Sequence, residues 1–371
     1  MSFLSLVGKN LVRQRARSGL TALGISLGII TVVALGCITA GFRTSALEFM
    51  RSGGADFLVM GADAPDLELS VVAEADRAWL AARDDVARAA GTVMMVARVG
   101  ATPFFLVFGR EPSDLAARPP PLTSGRSLAA EGADEIMLGA HAARLLSARV
   151  GDVVTIHQRP LRVVGIYETG RTREDGGAYG SLATVQAMTG KPGAYTGVYV
   201  TVGAGADPDA VAAAIEAERP GLTTAGGIED VGKFDQSLEL LAAANFAISI
   251  LAVGIGAIGV MNTMIMSIFE RTREIGILRA VGWGGGRILA MIVCESLVLC
   301  LVAAVFGTVV GVLATRGLML SGAVSSFLQP QYPAEVFARA LAVAVTVALA
   351  GAAYPAFRAI RLTPLEALRH E

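Results

Sequence analysis

Residues 267–286 read SIFERTREIGILRAVGWGGG, a short segment carrying Glu270, Arg271, Arg273, Glu274 and Arg279, with Arg287 just beyond it. On either side lie long apolar runs, residues 240–269 and 288–315, in which Glu295 is the one charge of the second run. Two further charge-poor stretches occur at 19–42 and 336–357, the last interrupted by Arg339 alone. A helix rises about 1.5 Å per residue and the hydrocarbon core of a bilayer is about 30 Å thick, so each run is long enough to cross it. Only a structure that satisfies its own backbone survives in lipid, and these runs therefore predict four transmembrane α-helices. The charged segment is then a tight elbow between helices two and three.

Composition agrees with this reading. The chain has 371 residues, 53% of them hydrophobic and 17% charged, with a mean hydropathy of +0.58. That is too apolar for an ordinary soluble domain. Residues 43–239 differ from the rest: they hold 18 Lys/Arg against 26 Asp/Glu, an acidic balance that argues against nucleic acid as a partner. Cys37, Cys294 and Cys300 all fall in the apolar runs. The hydrophilic domain therefore folds without disulfides.

That domain is entered through a helical stalk at 44–51 and left through 234–240 straight into the second span. Strand-like runs mark 56–60, 93–99, 104–109, 135–138, 153–156, 161–167 and 198–202, and helical patterns mark 73–82, 140–147 and 207–218. The mixture predicts a large α+β domain built as two lobes that divide near Pro119-Pro120-Pro121. Residues 1–18, with Phe3, Leu6, Val7 and Leu11 at helical spacing and Lys9, Arg13, Arg15 and Arg17 following, predict an amphipathic helix on the membrane surface. After residue 357 a basic tail, 358–371, closes the chain.

Short-loop charge sets the orientation. Four Lys/Arg precede the first span, four lie between spans two and three, three follow span four, and the 316–335 loop has one. The positive-inside rule puts both termini and the 270–287 elbow in the cytoplasm, and the 43–239 domain and the 316–335 loop outside. The expected location is the cytoplasmic membrane, with the lipid bilayer as solvent for the spans.

Three motif matches carry no chemistry. Gly24-Ile25-Ser26-Leu27-Gly28 matches G-x-S-x-G, but a nucleophile elbow needs a strand before the serine and this serine lies inside a helix. Gly24 and Gly28, like Gly307 and Gly311, are at the G-x-x-x-G spacing that lets helices pack closely. Residues 254–259 match G-x-G-x-x-G without the βαβ setting of a dinucleotide site. Residues 227–233 match G-x-x-x-x-G-K, yet Phe234 stands where a Ser or Thr would hold magnesium. The chain is therefore expected to have no ATPase of its own, no catalytic residue and no metal. His141 and His157 have no metal-ligand spacing, which leaves a membrane-anchored enzyme the weakest reading. Glu295 is a functional candidate because an ionisable group in a span is costly, and the competing reading is a hydrogen bond to a neighbouring helix such as the one bearing Asn262.

Four stretches, RSGLTALGISLGIITVVAL (17–35), the EIMLG to ETG block (135–170), GVMNTMIMSIFERTREIGILRAVG (259–282) and LTPLEALRHE (362–371), resemble the MacB-like, FtsX-like family of ABC transporter permeases. The resemblance covers nearly the whole chain and implies one span, a MacB-like periplasmic core domain, then three spans. It implies further that the elbow is the coupling helix of a cytoplasmic ABC ATPase, which would be a separate subunit and would hold the ATP and magnesium. Two permease chains, as a homodimer, are expected, with an extracytoplasmic adaptor or substrate protein as a further partner. If 270–281 is helical, Ile275, Ile277, Leu278 and Val281 offer an apolar docking face and Arg271, Arg273, Glu274 and Arg279 a charged rim. The function implied is export, or extraction of substrate from the outer side of the membrane. The alternative within the same architecture is a non-transporting relay that activates an extracytoplasmic hydrolase or sensor.

Overall fold

The computed structural model describes residues 15–100, 102–226, 230, 236–325 and 328–361. The predicted helix at 1–18, apart from its last four residues, and the tail beyond residue 361 lie outside the described residues, as does most of the 227–233 motif. Two compact units emerge, one of apolar helices and one containing the hydrophilic domain together with residues 317–331.

The helical unit draws on four long helices. Helix α1 (Arg15–Met50) runs 36 residues without a break, so the predicted stalk is the continuation of the first span. The other three are Gln236–Glu270, Gly285–Leu318 and Ala334–Arg361, and all four are long and apolar enough to cross a membrane. Their buried seam holds small residues and β-branched side chains, among them Ile29, Val33, Ala303, Ala344 and Val347. Glycines set how closely the backbones approach. A Cβ on Gly307 would lie 2.9 Å from the Ser26 carbonyl oxygen, and one on Gly311 3.1 Å from Val33. Gly28 abuts Ala252 in the same way, whereas Gly24 faces open space, so the first G-x-x-x-G pair packs through only one of its members. Gly36, Gly256 and Gly351 also sit at crossings. Between the helices, Thr21 and Thr263 share a 2.6 Å hydrogen bond and Ser26 donates to the Ala303 carbonyl at 3.1 Å. Satisfied this way, the Ser26 hydroxyl is structural.

The second unit is built on one twisted ten-stranded sheet. In chain order its strands are β1 (Phe57–Gly61), β3 (Val86–Val99), β4 (Thr102–Arg110), β5 (Leu122–Gly125), β6 (Glu135–Gly139), β7 (Val153–Ile156), β8 (Arg159–Tyr167), β9 (Ala178–Ser181), β11 (Gly197–Val202) and β12 (Leu222–Ala225), while β2 (Val72–Ala73) pairs separately with β10 (Ala194–Tyr195). The spatial order is β12-β1-β11-β3-β4-β9-β6-β8-β5, with β7 also on β8. Around it lie the short helices α2 (Glu74–Ala81), α3 (Pro112–Ala117), α4 (Ala140–Leu146), α5 (Thr172–Asp175), α6 (Leu182–Thr189) and α7 (Pro208–Glu218). Where two lobes are expected from the sequence, a single sheet runs through. The half of the sheet holding β12, β1, β11, β3 and β4 meets the half holding β9, β6, β8 and β5 through the parallel β4–β9 pairing, Val107 opposite Ala178.

Period-two alternation gives the sheet two apolar faces. Phe57, Val59, Val93 and Val107 enter one core, and Leu58, Met60, Met94 and Phe108 the other. The second core is closed by the end of α1: Ala46, Phe49 and Met50 are at most 2% exposed. The Phe49 ring lies 5.1 Å from Phe108 and 5.8 Å from Tyr199. Residues 317–331 also belong to this unit: His141 Nε2 and Ser325 Oγ are 3.0 Å apart, and Leu328 is buried.

Candidate functional site: the elbow between the second and third spans

The helix Gln236–Glu270, α8, ends where Arg271 leaves helical geometry (φ −115°, ψ 15°), and a new short helix, α9 (Thr272–Ala280), begins. Thr272 Oγ1 turns back to the Ile268 carbonyl at 2.9 Å and stabilises the break. The far end of α9 closes as a Schellman motif. Trp283 N–H donates to Leu278 O, Gly282 N–H donates to Arg279 O, and Gly282 holds φ 98°, a conformation that glycine adopts without a Cβ penalty. Of the four glycines at 282–286 this one ends the helix, and Gly285 opens the next, α10 (Gly285–Leu318), hard against Ile360.

Three ties hold the elbow to the helical unit. Arg271, 9% exposed, points inward and meets Glu295, 5% exposed and nearly three turns into α10, at 3.3 Å. Its Nε also reaches Glu274 at 3.1 Å. Arg279 donates to the Ile360 carbonyl at 2.5 Å, near the end of the last long helix, α12 (Ala334–Arg361), which follows the short α11 (Gly322–Ser325). Glu270 accepts from Arg17 of α1 at 3.0 Å, across a half-exposed surface where such a pair is worth little by itself. Nearby, the Arg358 guanidinium stacks over the Phe269 ring at 4.7 Å.

The residues expected on one docking face separate. Ile275, 2% exposed, packs inward with Ile268, Ile288, Ile292, Ala352 and Ala356. Ile277 and Val281 are 47% and 77% exposed, Leu278 is half-buried, and Arg273 and Glu274 are exposed. Arg271 likewise belongs to the interior and not to a charged rim. Glu295 takes its partner from the elbow, while Asn262 is exposed on α8 and its side chain makes no hydrogen bond among the described residues. Arg17, Thr21, Thr263 and Ser296, whose Oγ donates to Ala348 O at 3.1 Å, are polar contacts the sequence reading did not single out. No group of three or more His, Cys, Asp or Glu side chains among the described residues could hold a metal ion.

A multi-pass helical membrane unit, a large α/β domain inserted between its first and second spans, and a short charged elbow anchored between the second and third define an ABC-permease class of protein. Residues 18–218 match the family model for the MacB-like periplasmic core domain and residues 246–364 that for the FtsX-like permease C-terminal region. The chain belongs to the MacB-like, FtsX-like permease family.

Among similar proteins, the macrolide export ATP-binding/permease protein MacB 1/2 of Paracoccus denitrificans is 31% identical over 96% of this chain and 56% of its own length. A pyoverdine export ATP-binding/permease protein of Pseudomonas entomophila is 27% identical over 96% and 58%. An uncharacterized ABC transporter permease of Methanocaldococcus jannaschii is 31% identical over 60% and 58%. The chain thus spans little more than half the length of these curated relatives. The crystal structure of the periplasmic region of MacB from Actinobacillus actinomycetemcomitans matches 49% of this chain and 91% of its own at 13% identity and a TM-score of 0.36.

Proposed function

We propose that this chain is the permease subunit of an ABC transport complex. In this reading it carries ATP-driven motion from a cytoplasmic ABC ATPase, through α9, to the core domain, which takes up substrate outside the membrane or from its outer leaflet for export. ATP and magnesium are held by the ATPase; this chain supplies no hydrolytic group. The observation that carries the reading is the double face of α9. Its inner side is fixed to the helical unit by Arg271–Glu295 and Arg279–Ile360, while its outer side presents Ile277 and Val281 flanked by Arg273 and Glu274. An exposed apolar pair with a charged border is the chemistry of a protein interface core and rim.

Two features support transmission as the mechanism. Helix α1 is continuous from the first span into the core domain, where Phe49 is buried, so axial motion of the span is motion of the sheet's packing partner. Residues 317–331, which join α10 to α12, also belong to the core-domain unit. Relatives named for macrolide and pyoverdine export support export as the direction. A second copy of the chain completes the complex in this reading; α8 leaves Phe246, Ile250, Leu251, Ile255 and Ile258 exposed for that copy and for lipid.

Ile277→Asp and Val281→Asp test the proposal. Each puts a charge on the outer face without touching the inner ties, and is expected to abolish co-purification of the ATPase and its stimulation by the permease while leaving the thermal unfolding of the chain unchanged. Unaltered stimulation and co-purification in both variants would sink the coupling role.

A further inference from the structure

Just past the end of α1 the chain passes through Ser52, Gly53 and Gly54, and these residues form one wall of a cavity of about 360 Å³ that lies wholly within the core domain. Three arginines from three different elements line it: Arg110 at the end of β4, Arg118 after α3, and Arg171 before α5. A fourth, Arg88 of β3, lies behind Gly53.

The donors there outnumber their partners. Arg110 uses Nε and Nη2 on Asp114. Arg118 uses Nη1 on the Gly53 and Gly54 carbonyls, and Arg171 uses Nη1 on Glu174. Among the described residues, Nη1 of Arg110 and Nε and Nη2 of both Arg118 and Arg171 have no hydrogen-bond partner, the Arg110 guanidinium lies 4.8 Å over the Tyr199 ring, and Arg88, which shares Asp114, keeps Nη1 buried without a partner. Four guanidinium groups face two carboxylates in contact, Asp114 and Glu174, with Glu48 of α1 acting on Arg171 and Glu174 through space. Glu174 already accepts from Ser52 Oγ at 2.5 Å. Burial and repulsion from Arg110 and Arg118 lower the pKa of Arg88 to about 10, the mark of positive charge crowded at this site.

We propose that this cavity binds a phosphoryl group of a small or lipidic phosphate ester through Arg110, Arg118 and Arg171. Planar guanidinium forks suit phosphate oxygens, and donors arriving from three elements match a tetrahedral oxyanion better than a planar carboxylate. Leu115, Tyr179 and the Pro119-Pro120-Pro121 wall give the organic remainder an apolar surface, and the volume lies at the lower end of the range for ligand sites. Arg118 also holds the carbonyls of Gly53 and Gly54, which adopt φ 64° and 72° directly after α1. A ligand drawn to Arg118 therefore acts on the joint between the stalk helix and the sheet. The site needs neither ATPase nor nucleotide, so it stands apart from the coupling role of α9.

The test uses the full chain in phosphatidylcholine nanodiscs without nucleotide, titrated calorimetrically with inorganic phosphate, glycerol 3-phosphate and dihexanoyl phosphatidic acid. Saturable binding of at least one probe is expected, weakened about tenfold or more by Arg118→Glu, less by Arg118→Lys, and unchanged by Arg149→Glu at an exposed site elsewhere on the domain. Binding of glycerol 3-phosphate identifies a soluble ester, and binding of phosphatidic acid alone identifies a lipid headgroup. Arg118 is exposed, so a thermal unfolding curve shows that the variants fold. Absence of saturable binding by all three probes, or equal affinity in Arg118→Glu, would overturn the proposal.

Discussion

Arg271, the residue that breaks the helix between α8 and α9, places Nη1 3.3 Å from Oε2 of Glu295, with both side chains at most 10% exposed. Removing Arg271 leaves Glu295 without an ion-pair partner among the described residues, and removing Glu295 leaves Arg271 only the half-exposed Glu274. Glu295→Gln is expected to cost about 3–5 kcal/mol, the usual penalty for breaking a buried pair, and to appear as a lowered thermal midpoint in detergent. Replacing both residues with Met removes the stranded charge and is expected to recover most of that loss. If the double variant recovers stability yet stimulates no ATPase, the pair's role is to fix the elbow's position. Equal midpoints for wild type and Glu295→Gln would show that the contact carries no stability.

Glycine substitutions separate packed from open crossings. A Cβ at Gly351 would meet Val260 at 2.6 Å and the Ala257 carbonyl at 2.8 Å, atoms that move only if the helices part. Gly351→Ala is therefore expected to destabilise by about 1–3 kcal/mol. Gly24→Ala adds a methyl where nothing lies within 4 Å and removes a helix-interior glycine, for an expected gain of about 0.5–1 kcal/mol. Thermal midpoints of the two variants in the same detergent should move in opposite directions.

Phe49, near the end of α1, is packed within the core domain. It is 2% exposed and stacks near Phe108 and Tyr199, so Phe49→Ala removes a buried ring from the joint between helix and sheet. The expected cost is about 3–5 kcal/mol of core-domain stability. Should α1 transmit motion, the same variant lowers transport more than it lowers permease-stimulated ATP hydrolysis, because the input at α9 is intact. A parallel fall in both activities would argue against transmission through this joint.

Much of this architecture was readable from residue patterns, and the exceptions have physical causes. Runs such as 56–60 and 161–167 fall within two residues of β1 and β8, because short runs rich in apolar and β-branched residues mark strands. Residues 178–189, AYGSLATVQAMT, form β9 and α6 but alternate poorly, since β9 is buried on both faces. The β4–β9 pairing that merges two expected lobes joins residues some 70 positions apart and leaves no local trace. On α9 a helical wheel at 100° per residue puts Ile275 about 160° from Ile277, so the four apolar residues never shared one face. Arg271 and Glu295 were each conspicuous; their partnership was not, because it depends on how the chain turns between α8 and α10. Gly24 and Gly28 differ only in which neighbour each faces, which spacing cannot reveal.

The contact between His141 and Ser325 ties residues 317–331 to the core domain and responds to pH. Burial lowers the His141 pKa from its ordinary 6.5, Arg144 lowers it further, and Asp175 and the Ser325 contact act weakly the other way. A depressed folded-state pKa means that the unfolded chain takes up the proton first. The folded state therefore keeps full stability above pH 6.5 and loses it as pH falls from there through the folded pKa. Glu74 beside Arg77 and Glu135 beside Arg126 titrate below their ordinary 4.5, whereas burial raises Glu48 and Glu131, so between pH 6.5 and 5 the histidine is read as the difference between wild type and a variant at 141. Thermal midpoints recorded across that interval should fall for the wild-type chain and stay flatter for His141→Gln, which keeps a hydrogen-bonding side chain and cannot take a proton. Identical slopes for the two proteins would mean that His141 is not the titrating group.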